Sequence, residues 1–127
     1  MNWVEQTVAA FGQTIGIPGL SLSASGSVDL VLEHGGMLSL RHLGEKAPAE
    51  VVVQRSKPLG FAPERQIRRA LRLSDFRHPS SWHTQVAIDN DLLILAMRMP
   101  ERTFSLDSLE QTISELMRMH AFIAEAR

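Results

Sequence analysis

Five histidines are the side chains of this 127-residue chain best suited to bind a metal ion. No two of them are four residues apart, and the chain has no HExxH segment, so no helix would place two imidazoles on one face. Cysteine is absent, which excludes thiolate ligands and disulfides. The sequence therefore predicts no metal site and no cofactor. The histidines are His34, His42, His78, His83 and His120.

A nucleophilic active site has equally little support. Asp75, His78 and either Ser80 or Ser81 are the residue types of a catalytic triad, but all lie in one loop, where no rigid element would hold their geometry. The segment from His34 to Gly36 is similar to the oxyanion loop of hydrolases, yet the chain lacks the G-x-S-x-G turn that such enzymes need. Glycine-rich phosphate loops are missing as well. We therefore expect no catalytic residue and no enzymatic activity.

Four arginines form the strongest charged feature, on one side of a helix predicted from Pro63 to Leu73. A solvated face is the first interpretation, pairing with an acidic partner the second and nucleic-acid binding the last. Nucleic-acid binding would need further basic residues on the same face or exposed aromatic rings. The chain has 13 basic and 14 acidic residues, a net charge of −1, which also argues against nucleic acid as the main partner. The stripe consists of Arg65, Arg68, Arg69 and Arg72, and the apolar side of Ile67, Ala70 and Leu71.

The elements that must position any site begin with a helix in the segment MNWVEQTVAAFGQTIGIPG. Its apolar residues recur at helical spacing from Trp3 to Ile15; Gly16 suits the left-handed position after a helix, and Pro18 prevents continuation. Neither a secretory signal nor an apolar run near the roughly 18 residues of a membrane span is present. The apolar face consists of Trp3, Val4, Thr7, Val8, Phe11 and Ile15.

The remaining periodicity predicts three strands, the Pro63 to Leu73 helix, a hairpin and a last helix. The third strand covers Glu50 to Arg55, and the hairpin strands, Trp82 to Ile88 and Leu92 to Met99, flank a turn at residues 89–91. Ser105 is suited to cap the last helix. The apolar face of that helix consists of Leu106, Leu109, Ile113, Leu116, Met117, His120 and Ile123. We therefore predict an α+β fold in the order α-βββ-α-ββ-α, with one antiparallel sheet, in a single domain spanning residues 1–127.

The strands carry apolar residues on both faces of the predicted sheet. Four residues, Val31, Met37, Leu43 and Val52, fall on or near the face opposite the predicted core, where a solvated sheet would be more polar. Exposed apolar surface on a small protein marks a partner site. The alternative interpretation is that helices cover this face and leave nothing exposed. The segment LLILAM is almost wholly apolar, which predicts that this strand is covered on both faces.

The two ends of the chain resemble a known family, the class I type III secretion chaperones. The opening segment is similar to the start of the SycN-like members, which begin with Met, a small residue, Trp, a β-branched residue and Glu. Those members carry a Phe further along the helix and close it with Gly-aliphatic-Pro. The segment SLDSLEQTISELMRMH resembles the last helix of the family. The matching residues of the opening are Trp3, Val4, Glu5, Phe11, Gly16 and Pro18.

The resemblance implies a cytoplasmic bacterial chaperone, or one associated peripherally with the inner membrane at the secretion apparatus. It would hold the N-terminal segment of a secreted protein, either an effector or the secretion gatekeeper, in an export-competent form. It would pair with itself or with a second small chaperone subunit. The competing interpretation is a small nucleic-acid-binding or regulatory module that uses the helix from Arg65 to Arg72.

The resemblance and the patterns together assign two sets of residues. We expect the secreted client to contact the first helix and the outward sheet face, and we expect the helix from Pro63 to Leu73 to lie at a subunit interface. The client-binding set is Val4, Val8, Phe11, Val31, Met37 and Val52. The interface set is Ile67, Ala70 and Leu71.

Overall fold

The computed structural model describes residues 2–45, 47–60, 62–73 and 83–125. These residues form three α-helices and five β-strands, with short 3₁₀ helices at Glu33–Gly35 and Glu101–Thr103. The order α-βββ-α-ββ-α confirms the predicted fold class. The helices are α1 (Trp3–Thr14), α2 (Pro63–Leu73) and α3 (Leu106–Ala124). The strands are β1 (Ser27–Val31), β2 (Met37–Leu43), β3 (Glu50–Pro58), β4 (Thr84–Asp89) and β5 (Leu92–Pro100).

All five strands belong to one antiparallel sheet, in the order β1-β2-β3-β5-β4. Strands β3 and β5 are neighbours although α2 and β4 separate them in sequence. The described parts of all three helices lie against the same face of the sheet, because the buried side chains of that face share one core with them. We call this the inner face, and the opposite one the outer face.

The core forms because every second strand residue points to the inner face. Leu40, Val53 and Met97 lie directly opposite one another on β2, β3 and β5, and all are fully buried. Helix α1 packs Val4 and Val8 into the same core. Helix α3 contributes Leu109, Leu116 and Ile123.

The end of α1 has the geometry that its sequence predicts. Gly16 has a φ of +81°, and the N–H groups of Gly16 and Ile17 donate to the carbonyls of Gln13 and Gly12 at 3.3 and 2.7 Å. These bonds satisfy carbonyls that the helix leaves open. A side chain at Gly12 would meet the Leu20 Cβ at 2.5 Å, so glycine allows the following segment to pack against the helix.

Several boundaries and one face differ from the sequence-based prediction. Helix α1 ends at Thr14, with Ile15 as its cap, and β3 continues past Arg55 to Pro58, because Ser56, Lys57 and Pro58 pair with β5. On α3 the methionine in the core is Met119, not Met117, which is half exposed. The first hairpin strand begins at Thr84, and Trp82 lies outside the described residues.

Candidate partner-binding surfaces

The outer face of the sheet has no described element packed over it, although it carries many apolar side chains. The register places Val31, Met37, Ser56, Ile94 and Ala87 opposite one another, in one row across all five strands. Val31 is 82% exposed and Met37 is 38% exposed. The small side chain of Ser56 is buried between its larger neighbours. The row is therefore an apolar stripe about five strands wide, which we call the outer apolar row.

Two to four residues further along the strands, the outer face becomes polar and concave. Val52, which is half-buried, lies between Arg41 on β2 and Arg98 on β5. Arg98 donates from Nε to Gln85 Oε1 at 3.2 Å, and its Nη1 lies 3.5 Å from Glu50 Oε1. Arg41, Val52 and Arg98, with Gln85, line part of a concavity of about 290 Å³. The outer face thus offers apolar contacts at one end and hydrogen-bonding groups at the other.

The three residues of α1 that are predicted to bind the client lie in the hydrophobic core. Val4, Val8 and Phe11 are all buried against the inner face of the sheet and α3. The exposed Trp3 lies beside them, and its indole N–H donates to the Phe104 carbonyl at 3.2 Å. Direct contact between those three residues and a client would require α1 to leave the sheet. Their partner-binding role stays a prediction.

Helix α2 presents part of its predicted interface set. Ala70 is fully buried, Ile67 is half-buried and Leu71 is 58% exposed. Residues 67 and 71 are four apart, so they lie above one another on the same side of the helix. Leu71 and Ile67 therefore form a short apolar shoulder on the surface.

Beside this shoulder lies the arginine stripe. Arg65, Arg68 and Arg72 are exposed, and their guanidinium groups make no hydrogen bond or ion pair with other described residues. Arg69 differs, because its Nη1 donates to the Phe122 carbonyl at 2.9 Å and its guanidinium lies 4.5 Å from the centre of the Phe122 ring. Arg69 thus joins α2 to α3, and three arginines remain available on the surface.

A partly buried polar contact joins β3 to α3. Arg55 Nη1 donates to His120 Nδ1 at 2.7 Å, and His120 Nε2 donates to the Leu93 carbonyl at 3.1 Å. Both ring nitrogens are therefore engaged as in a neutral imidazole. Burial lowers the pKa of His120 to about 4, and the charge of Arg55 contributes to the same shift. This confirms the prediction that His120 belongs to the apolar face of the last helix.

Among the described residues, none of the other histidines forms part of a metal-binding or catalytic site. His42 Nε2 lies 2.6 Å from Glu101 Oε2, which joins β2 to the turn after β5. Within the described part of the chain, no three His, Asp or Glu side chains are placed to hold a metal ion. The triad candidates Asp75, His78, Ser80 and Ser81 lie outside the described residues, as does the side chain of His34.

Comparison with protein families shows to which family the chain belongs. The profile of the family described as type III secretory system chaperone SycN matches residues 3–124. The chain belongs to the SycN family of type III secretion chaperones. The match covers both ends that carried the resemblance and the whole sheet between them. A comparison with curated protein sequences gives no significant match.

Solved structures of similar fold include chains from three protein complexes. The SycN-family chain matches the ExsC–ExsE complex with a TM-score of 0.71 and 20% identity, over 96% of this chain and 91% of the other. It matches the HopA1–SchA chaperone–effector complex with a TM-score of 0.70 and 14% identity, over 98% and 94%. For Yersinia pestis SycH bound to a YscM2 fragment, the values are 0.71, 17%, 94% and 98%. At these identities the likeness concerns the fold.

Two features of this SycN-family chain were missed in the sequence. Ile94 belongs to the outer apolar row, and Arg41 and Arg98 flank Val52, but both facts depend on the pairing of β3 with β5. Alternation along a strand predicts which residues share a face, yet it does not align strands that are separated by a helix. Among the described residues, no helix has the length and apolar composition needed to cross a membrane.

Proposed function

We propose that this SycN-family chain is a non-catalytic chaperone that binds the N-terminal segment of a type III secreted protein and keeps it competent for export. The observation that carries the proposal is the outer apolar row, which no described element covers. Apolar surface of this kind on a small domain is typical of a partner site. The family assignment supports a secreted protein as that partner.

The complexes that contain similar folds support the same interpretation. SchA is in a chaperone–effector complex with HopA1, and SycH of Yersinia pestis is in complex with a fragment of YscM2. By analogy, an extended client would lie against the sheet of this chain. We propose the secretion gatekeeper as its client, and the bacterial cytoplasm as the place where the two meet, since the family resemblance implies both.

Within the predicted client-binding set, the outer-face residues are the ones that a client can reach in this fold. Val31, Met37 and Val52 are exposed or half-buried, whereas the three α1 residues support the sheet from its inner face. Each apolar side chain that becomes buried contributes roughly 1.5–3 kcal/mol. A surface ion pair contributes about 0–1 kcal/mol. Apolar contacts should therefore dominate the affinity, with Arg41 and Arg98 orienting the client.

Client binding can be tested with the N-terminal segment of the secretion gatekeeper from the same organism. Because the contacts are mainly apolar, binding measured by calorimetry should survive raised salt. The substitutions Val31→Asp and Val52→Asp should each weaken it at least tenfold, since both place a charge on the contact surface. Ser114→Asp, at an exposed site on α3, is the matched control and should leave the affinity unchanged.

Circular dichroism would show that all three variants keep their fold. If moderate salt abolishes binding while Val31→Asp and Val52→Asp leave it intact, the outer face is not the client site. The arginine stripe of α2 would then be the candidate client site.

We also propose that the chain works as one half of a pair, with α2 at the contact. Leu71 and Ile67 would lie in the interface, and Ala70 beneath them would support the helix from the core. An exposed leucine beside a half-buried isoleucine is a small apolar area, so the contact needs further interactions around it.

A further inference from the structure

The exposed face of α2 carries two kinds of group side by side. Arg65, Arg68 and Arg72 are spaced i, i+3 and i+7, so they follow one side of the helix over two turns, about 10 Å. Leu71 and Ile67 run parallel to them one step around the helix. The face is therefore a basic stripe with an apolar shoulder.

Within the described part of the chain, no carboxylate pairs with the exposed arginines of this face. The three exposed guanidinium groups make no hydrogen bond or ion pair with any other described residue. Without the four arginines of α2, the chain has nine basic residues against fourteen acidic ones. The near-neutral total thus conceals an uneven distribution of charge, because α2 carries four arginines and one glutamate while the rest of the chain has an acidic excess. Such a patch attracts an acidic partner and steers its approach.

The apolar shoulder favours a protein over a phosphate-bearing partner. Nucleic acids and lipid headgroups would engage the guanidinium groups but would leave Leu71, which is 58% exposed, in contact with water. An amphipathic helix can bury Leu71 while its carboxylates reach the arginines. Planar guanidinium groups also suit carboxylates, with which they form paired hydrogen bonds.

A second copy of this chain fits the face poorly. Two copies related by a twofold axis present the same patch to each other. Pairing through α2 would bring six exposed arginines together against two glutamates, because Glu64 is the only acidic residue on the helix. Like charges brought together in an interface disfavour association.

We propose that the exposed face of α2 binds an acidic amphipathic helix of a different protein chain. Carboxylates spaced i, i+3 or i+4, and i+7 on that helix pair with Arg65, Arg68 and Arg72, and its apolar residues cover Leu71 and Ile67. The inference deepens the proposed pairing of this chain by naming the chemistry of its partner. It is independent of client binding on the outer face of the sheet.

A designed peptide tests the proposal without knowledge of the natural partner. The probe is a fluorescein-labelled, helix-forming peptide with glutamates at i, i+4 and i+7 and leucines on the adjoining stripe. A second peptide carries lysine at each glutamate, and a third carries glutamine at each leucine. Binding to the full chain is measured by fluorescence anisotropy at physiological salt. Duplex DNA and phosphatidylserine vesicles are measured in the same way as alternative ligands.

The proposal expects the glutamate peptide to bind more tightly than the other two peptides, the DNA and the vesicles. The double substitution Arg68→Glu with Arg72→Glu should weaken this binding at least tenfold and allow the lysine peptide to bind. Leu71→Ser should weaken it about threefold or more. Arg102→Glu, at an exposed arginine outside α2, is the control and should have no effect.

Several results would overturn the proposal. Tighter binding of DNA or vesicles, with no effect of Leu71→Ser, would identify a phosphate-binding face. Self-association of the chain that is lost on Arg68→Glu would identify a second copy as the occupant. Failure of the glutamate peptide to bind, or failure of the lysine peptide to bind the reversed variant, would contradict it directly. None of these results bears on client binding, which is measured with a different segment and with variants of Val31 and Val52.

Discussion

At the scale of single residues, the contact between Arg55 and His120 couples the stability of the fold to pH. The imidazole is buried between β3 and α3, and it accepts a hydrogen bond from Arg55 while donating one to the Leu93 carbonyl. Protonation would remove the acceptor and place a second positive charge beside the guanidinium group. Burial, which opposes that charge, is the main reason for the lowered pKa.

The first prediction concerns acid destabilisation through His120. Its pKa falls from 6.5 to about 4 in the fold, so between these values the unfolded chain binds more protons. The free energy of unfolding should therefore fall as the pH drops from about 6.5 to about 4, by about 3 kcal/mol in total from this residue. Urea unfolding at a series of pH values would measure it. His120→Gln should remove this part of the pH dependence.

His83→Gln is the matched control, because His83 is exposed. That variant should keep the acid destabilisation of the unmodified chain. An unchanged pH dependence in His120→Gln would show that other groups are responsible.

At the scale of elements, the sequence predicts most of the helices and strands. The errors of this prediction fall at residues whose burial depends on packing between elements. Both bounds of α2 and the cap of α3 are confirmed, since they depend on local signals such as Pro63 and Ser105. On α3 the prediction placed Met117 on the buried face, whereas the buried methionine is Met119, two positions further along. Both residues border the apolar stripe, and only the position of the neighbouring strands and helices decides between them.

The second prediction concerns the start of α3. Ser105 Oγ accepts from the Ser108 N–H at 3.1 Å, and Ser108 Oγ accepts from the Ser105 N–H at 2.8 Å. Ser105→Ala would leave a helix N–H without its partner and should lower the free energy of unfolding by about 1 kcal/mol. Urea unfolding compares it with Ser114→Ala, an exposed site within α3, which should be close to neutral. Equal effects in the two variants would argue against the cap.

At the scale of the whole molecule, the two candidate surfaces lie on different layers. The outer apolar row belongs to the sheet, and the α2 face belongs to the helical layer that covers the inner face. The sequence predicted that the outer face is less polar than a solvated one, and the structure places Val31 and Met37 there. Whether a helix would cover that face was beyond prediction, because period-two alternation is the same for a covered and an open sheet.

The third prediction concerns assembly through α2. Leu71→Glu places a charge on the apolar shoulder and should weaken pairing with a partner subunit, which light scattering of the purified complex would detect. Val31→Glu is the control, because it changes another exposed apolar residue, on the opposite layer, and should leave pairing intact. A well-folded monomer of the unmodified chain that binds no partner subunit would contradict the assignment.

The central claim, that the outer face of the sheet receives the client, is tested most directly by methyl-group NMR during titration with the gatekeeper segment. Val31, Val52 and Ile94 lie on the outer face. Val4 and Val8 belong to α1 and are buried in the core. If the client binds the outer face, the methyl chemical shifts of the first three residues should change strongly, in proportion to bound client. Those of the last two residues should change little. Large shifts confined to Val4 and Val8, with Val31 and Val52 unmoved, would contradict it and return the client site to α1.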